Sequence, residues 1–206
     1  MTRARDIVFV GLALSGAVAL GLALTAGAGH AIARATGGAA ITLLSISLAM
    51  SPIAQLVSAP SAVACRAARR TLGIASATVA LAHALWALPT YLAPLTLSPI
   101  GALPWLRQGA LALLLLLSLL VTSFPVLQRA LAVRAWSALH RLAYLAAILA
   151  SLHALGVPFG SSTVGIAACT ATVVVLLARP LVLVLRRRPR ASGEKDPQNE
   201  PETTID

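Results

Sequence analysis

Acidic side chains are what this chain most lacks. Only six of its 206 residues are Asp or Glu, and none falls between Asp6 and Glu194. Carboxylate-driven proton pumps and cation transporters depend on such groups near the membrane midplane, and carboxylate-built metal sites need them as ligands. Neither can be assembled from residues 7–193. Cysteine is scarce as well. Cys65 and Cys169 stand alone, with no CxxC and no CxxCH, so covalent haem attachment, zinc and iron–sulfur clusters have no support. Each cysteine reads as a small packing residue, and Cys65 is expected in a cytoplasmic loop, where thiols stay reduced.

What the chain has instead is hydrophobic length. It is 58% hydrophobic with a mean hydropathy of +0.88, which places it in the membrane class. A spanning helix takes about 20 mostly apolar residues, and six segments qualify: Ile7–Ala28, Ala39–Val57, Thr71–Leu92, Gln108–Leu127, Ala135–Leu155 and Thr163–Leu185. The fold expected is all-α, a polytopic six-transmembrane-helix bundle over 1–189, followed by a disordered polar tail over 190–206. Little chain remains between the segments, so no soluble catalytic domain is expected. The first segment is longer than the ~7–15 apolar residues of a signal-peptide core and reads as a retained anchor.

The arginines set the orientation. Arg3 and Arg5 precede the first segment, Arg66, Arg69 and Arg70 lie between the second and third, and Arg129 and Arg134 between the fourth and fifth. Arg186, Arg187, Arg188 and Arg190 follow the sixth, whereas the alternate loops hold only Arg34 and Arg107. By the positive-inside rule both termini are cytoplasmic. The net charge of +10 then serves anionic membrane lipid rather than nucleic acid. Trp86, Trp105, Trp136 and Tyr91 fall near segment ends, as an interfacial aromatic belt requires.

Against this background three histidines stand out: His83 in LAHAL, and His140 and His153 in ALHRLAYLAAILASLHAL. Histidine is costly in a bilayer and faces a bundle interior where a metal, pore or proton path employs it. Neutral imidazole also suits haem iron in an apolar setting. His140 and His153 are thirteen residues apart, about 20 Å along a helix at ~1.5 Å per residue. That spacing suits two sites, one near each membrane face. At ~100° per residue the two would also leave an ideal helix about 140° apart, which calls for a π-bulge or kink, or for ligands leaving from different flanks. The third and fifth segments both start in the cytoplasm and run parallel. His83 therefore matches His153 in depth, and Arg70, thirteen residues before His83, matches His140. A haem between His83 and His153 would lie towards the outer face. Arg69 and Arg70, with Arg141 as a third candidate, could hold haem propionates through guanidinium–carboxylate pairs. His30, in a Gly-rich stretch, reads as a solvated rim residue.

The stretches LLSISLAMSPIAQ, CRAARRTLGIASATVALAHALWAL and LLVTSFPVLQRALAVRAWSALHRLAYLAAILASLHAL together resemble the ferric reductase-like transmembrane family. The carrying features are R-R-x-L-G before the third segment's histidine, T-S closing the fourth segment, and W-x-x-L-H-x-x-x-Y with its later histidine. The resemblance runs over about Ile41–Leu155. Within the family it points to the branch of haem-binding membrane subunits that serve methionine-sulfoxide reductases. It implies a b-type cytochrome that carries electrons from a cytoplasmic flavin reductase or quinol to an extracytoplasmic acceptor, a periplasmic molybdopterin enzyme. It further implies one or two b-type haems, with FMN as an additional candidate cofactor. His83 and His153 would be the axial ligands of one haem, and His140 would ligate a second. Relatives with four histidines in two pairs differ from this chain, which has arginine at the fourth position. Because flavin and nicotinamide domains follow the bundle in some relatives and not here, the donor is expected to be a separate protein or a bound flavin.

Three alternatives stay open on sequence. A stand-alone reductase of ferric chelates, quinone or oxygen would use the same haem wire. A transporter would show midplane charge, interrupted helices or internal repeats, and no repeat is evident. A cofactor-free assembly factor would make the histidine placement accidental.

Overall fold

The computed structural model describes residues 29–91, 98–157 and 162–186, which form helices joined by short turns with no strand among them. In chain order the helices are α1 (Gly29–Leu56), α2 (Ala59–Tyr91), α3 (Ser98–Ala102), α4 (Pro104–Thr122), α5 (Pro125–Ala130), α6 (Val133–Gly156) and α7 (Ser162–Arg186). Four of them carry apolar stretches long enough to cross a membrane: Ile32–Leu56, Ala59–Pro89, Pro104–Thr122 and Val133–Gly156. The chain is a multi-pass membrane protein. The expected first segment, Ile7–Ala28, and the tail over 190–206 lie outside the described residues.

Several boundaries differ from the sequence expectation. The third segment begins at Ala59, not Thr71, so Cys65, Arg66, Arg69 and Arg70 ride on helix rather than in a loop. The reason is local: APSAVACRAARR is rich in Ala and Arg, both strong helix formers, and its single proline sits in the first turn, where no intrahelical N–H is lost. At 33 residues α2 is about 50 Å long, well beyond a hydrocarbon core of ~30 Å. It must therefore extend beyond the hydrocarbon at one end or both. Arg34 and Arg107 likewise lie on α1 and α4 instead of in loops. α4 stops at Thr122 rather than Leu127. Pro125 forces Phe124 into extended backbone (φ −67, ψ 137) and opens the short α5. Leu103 is extended before Pro104 in the same way.

The helices meet through small residues. Ser76, Ala146 and Ala147 are wholly inaccessible, while large side chains such as Leu114, Val174 and Leu177 are turned outward and 59–64% exposed. That inversion is expected where lipid, not water, surrounds the bundle: association then rests on close backbone approach and interhelical hydrogen bonds. Leu44, Leu48, Ala77, Leu116, Ala146, Ala147 and Val175 form the central plug.

The tightest seam joins α1 to α2, which run antiparallel. Ser47 Oγ donates to the Arg69 carbonyl (2.8 Å), Ser76 Oγ to the Ala40 carbonyl (2.8 Å), and the His83 ring Nδ1–H to the Ala33 carbonyl (2.9 Å). The partners step by seven on each helix: 33, 40 and 47 on α1 against 83, 76 and 69 on α2. A seven-residue repeat keeps one face of each helix on the other. α1 also packs on α7, and α4 packs on α6, which meets α7. The α1/α2 pair thus faces the α4/α6 pair, with α7 behind.

Ser76 is wholly inaccessible and spends its hydroxyl on one interhelical hydrogen bond at the centre of the seam, so Ser76→Ala should cost only about 0.6 kcal/mol. Ser76→Leu should cost roughly 1–3 kcal/mol through overpacking. Thermal unfolding in detergent, followed by circular dichroism, measures both.

Candidate functional site

The geometry of the bundle brings His83, on α2, and His153, on α6, to face one another with ring centroids 6.2 Å apart and planes at 69°. Each ring is tied to a neighbouring helix by one nitrogen. His83 Nδ1 lies 2.9 Å from the Ala33 carbonyl, with the Thr36 hydroxyl oxygen at 3.3 Å. His153 Nδ1 lies 2.8 Å from the Trp105 carbonyl. A carbonyl only accepts, so Nδ1 must carry the proton in both rings and Nε2 must be the bare nitrogen. This is the tautomer a metal ligand needs, with the backbone in the outer-shell role that fixes ring orientation. An imidazole nitrogen binds a first-row metal at about 2.0 Å, and two such bonds in line put ring centroids about 6 Å apart. The observed separation fits two axial ligands on one iron.

Both rings border a cavity of about 420 Å³ between the two helix pairs, within the range of about 300–1,000 Å³ typical of ligand sites. Its wall is almost entirely apolar and unusually small-sided, with Gly37, Gly38, Ala80, Ala84, Gly109 and Ala150 among the lining residues. The few polar groups that reach it are the two histidines, Arg34 and Ser76. A flat, largely apolar ligand with a metal at its centre suits this chemistry. Haem meets both conditions.

Sequence reading missed three contributors. Trp105, read as a belt residue, supplies the carbonyl that holds His153 and stacks its indole on that ring, with centroids 5.9 Å apart at 30°. Gly37 and Gly109 were passed over, yet a Cβ at either would come within 3.0 Å of an imidazole atom. The available signal was a glycine inside an apolar helical run, which is costly and so usually has a packing reason.

The third histidine lies elsewhere. α6 is continuous α-helix from Val133 to Gly156 with no π-turn, so at ~100° per residue His140 and His153 leave it from different flanks. His140 Nδ1 donates to the Trp136 carbonyl one turn earlier (3.1 Å), and the Trp136 indole lies over the imidazole at 4.0 Å. Arg69 and Arg70 are its charged neighbours. Arg69 donates to Ser51 Oγ, and Arg70 donates to the Ser123 carbonyl at 2.6 Å, bracing the start of α2 against the end of α4. No second histidine faces His140 among the described residues. Arg141 points to the exposed side of α6. The His30 side chain lies outside the described residues.

This end can therefore hold an anion. Among the described residues the two guanidiniums are bonded to neutral oxygens, and residues 7–193 supply no carboxylate to neutralise them. The two ends are separated by the Leu44–Leu116–Ala146 plug.

Comparison with known proteins gives an independent line. The family model described as "Ferric reductase like transmembrane component" matches residues 36–151. That span includes His83 and His140 and ends two residues before His153. The chain is 37% identical over 124 residues to the "Protein-methionine-sulfoxide reductase heme-binding subunit MsrQ" of Cronobacter sakazakii, covering 58% of this chain and 60% of that protein. It is 36% identical over 124 residues to the proteins of the same name from Salmonella paratyphi B and Salmonella newport, with the same shares of each chain. The chain thus matches about three fifths of the length of these relatives.

Filling the cavity tests its role without touching either histidine. Ala84→Phe and Ala150→Phe should each lower the uptake of added haem at least tenfold, while helix content by circular dichroism stays at the parent value. Titration with haem, read in the Soret band, gives the answer.

Proposed function

Since the chain belongs to the ferric reductase-like transmembrane family, we propose that it is a b-type cytochrome that conducts electrons across a membrane. One observation carries the reading: two imidazoles, both with Nδ1–H committed to backbone carbonyls, face each other at the separation of axial ligands beside an apolar cavity. Haem bound there supplies one-electron storage at a potential set by its ligands and surroundings.

The residues of the chain do the rest. His83 and His153 would hold a haem iron through Nε2, and the Ala33 and Trp105 carbonyls accept from Nδ1–H and keep both rings in the tautomer this requires. The apolar wall keeps water from the iron, and Trp105 shields one face of His153. Arg69 and Arg70 bind the carboxylates or phosphate of a second cofactor near His140, either a second b-type haem or FMN. His140 would then be a ligand to that second haem, opposite a group from outside the histidine set. Arg141, on the exposed side of the helix, is a weaker partner for those carboxylates than sequence spacing implied.

In the full reading the bundle has six transmembrane helices over 1–189, with both termini cytoplasmic and the tail over 190–206 outside the haem-binding domain. It sits in a bacterial inner membrane. Electrons enter at the Arg69–His140 end from a flavin reductase or quinol and leave at the His83–His153 end to an extracytoplasmic molybdopterin enzyme. The relatives named as haem-binding subunits of methionine-sulfoxide reductase support that acceptor.

A reduced-minus-oxidised visible spectrum of the detergent-purified protein, with haem counted per chain, tests the reading. A low-spin b-type signal is expected, abolished by His83→Ala or His153→Ala and only partly lost in His140→Ala. No haem in protein produced with ample haem supply, or full haem retention in His83→Ala, would overturn it.

A further inference from the structure

The two facing histidines are seated by one device used twice. His83 donates to the carbonyl of Ala33, and the residue four positions on from Ala33 is Gly37. His153 donates to the carbonyl of Trp105, and four positions on from Trp105 is Gly109. The spacing has a mechanical reason. In an α-helix each Cα–Cβ bond tilts towards the N-terminus, so a side chain covers the turn before its own Cα. The side chain at i+4 therefore lies over the carbonyl at i. A glycine there uncovers that carbonyl, which can accept a second hydrogen bond while still serving the helix.

The fit is close at both positions. A Cβ on Gly37 would lie 3.0 Å from His83 Cε1 and 3.2 Å from Nδ1. A Cβ on Gly109 would lie 2.8 Å from His153 Nδ1 and 3.0 Å from Cε1. The same arrangement recurs with a smaller donor at the other end of the bundle. Ser47 Oγ donates to the Arg69 carbonyl, four residues before Gly73, where a Cβ would stand 3.4 Å from the hydroxyl. That is ordinary contact, and the Ala40 carbonyl accepts from Ser76 Oγ with Leu44 four positions on, so it is the bulkier imidazole that needs the room a glycine leaves.

We propose that Gly37 and Gly109 are positioning residues for His83 and His153. Each opens a helix carbonyl to Nδ1–H and so fixes the ring's orientation, leaving Nε2 bare for the iron. The inference rests on the haem reading of this cavity and adds to it the residues that set ligand geometry and basicity. A ring bonded through Nδ1–H is a more basic ligand, and such bonding is one of the levers on haem potential.

The test compares Gly37→Ala and Gly109→Ala with Gly73→Ala and Gly101→Ala in the full-length, haem-loaded protein. Gly101 has nothing within 4 Å of an added Cβ. Alanine is the better helix former, so a change confined to the helix would leave the haem as it was or make the protein more stable. The expected result is haem retention against an apomyoglobin competitor reduced roughly 10–100-fold in the first two variants. A raised midpoint potential and a high-spin fraction in the oxidised spectrum should accompany it, with parent values in the two controls. Retention, potential and spin state equal to the parent in both Gly37→Ala and Gly109→Ala would overturn the proposal. Histidine-selective ¹⁵N NMR of the haem-free parent supplies a readout independent of haem. Protonated Nδ1 at His83 and His153 is expected, and protonated Nε2 would sink the inference. A parent protein that takes up no haem would remove the functional reading while the ¹⁵N result still decides the seating of the rings.

Discussion

A bundle without carboxylates has to satisfy its polar side chains by other means, and that constraint shapes everything observed in this protein. Between Asp6 and Glu194 no side chain can accept a proton or neutralise a cation as a carboxylate would. In hydrocarbon an unpaired polar group costs several kcal/mol. The imidazoles, the two guanidiniums and most of the buried hydroxyls therefore turn to backbone carbonyls and to one another, Ser45 Oγ alone among the described residues being buried without a partner. His83, His140 and His153 all donate to carbonyls, Arg70 donates to a carbonyl, and Arg69 donates to a serine. For histidine the consequence is chemical. A carboxylate partner would bring a full negative charge to the ring, whereas a carbonyl accepts from Nδ1–H without one, and in the neutral ring so bonded Nε2 is the bare nitrogen.

The same constraint divides the molecule into two unlike ends. At one end the histidines consume their Nδ1 protons within the bundle and leave an apolar, small-walled cavity between α1/α2 and α4/α6. At the other, two guanidiniums beside His140 and Trp136 retain net charge and suit an anionic group. The seven-residue seam between α1 and α2 runs the length from one end to the other, from Ala33–His83 to Ser47–Arg69. A shift of one residue in that seam would break all three of its hydrogen bonds at once. The register of these helices and the seating of His83 are thus a single structural fact.

Much of this was legible in the sequence, and what was not has physical causes. Hydropathy over 20-residue windows identified the membrane class, and the parallel run of the third and fifth segments put His83 level with His153, where the structure brings the rings together. Helix ends were less legible, because Ala- and Arg-rich flanks such as Ala59–Arg70 continue a helix beyond its apolar stretch. Side-chain partners were out of reach, since nothing in the local sequence says that Trp105 lends its carbonyl to a residue 48 positions away. The glycines fell between these cases. Gly37 and Gly109 were visible as exceptions within apolar helices, but only the fold shows which ring each one makes room for.

The central claim is that one iron sits between His83 and His153. An experimental map of the detergent-purified, haem-loaded protein, with anomalous differences collected at the iron edge, tests it most directly. The account predicts a single strong iron peak between the two rings, within bonding distance of Nε2 on both. An iron peak bonded to only one of these histidines, or placed at the His140 end alone, would contradict it.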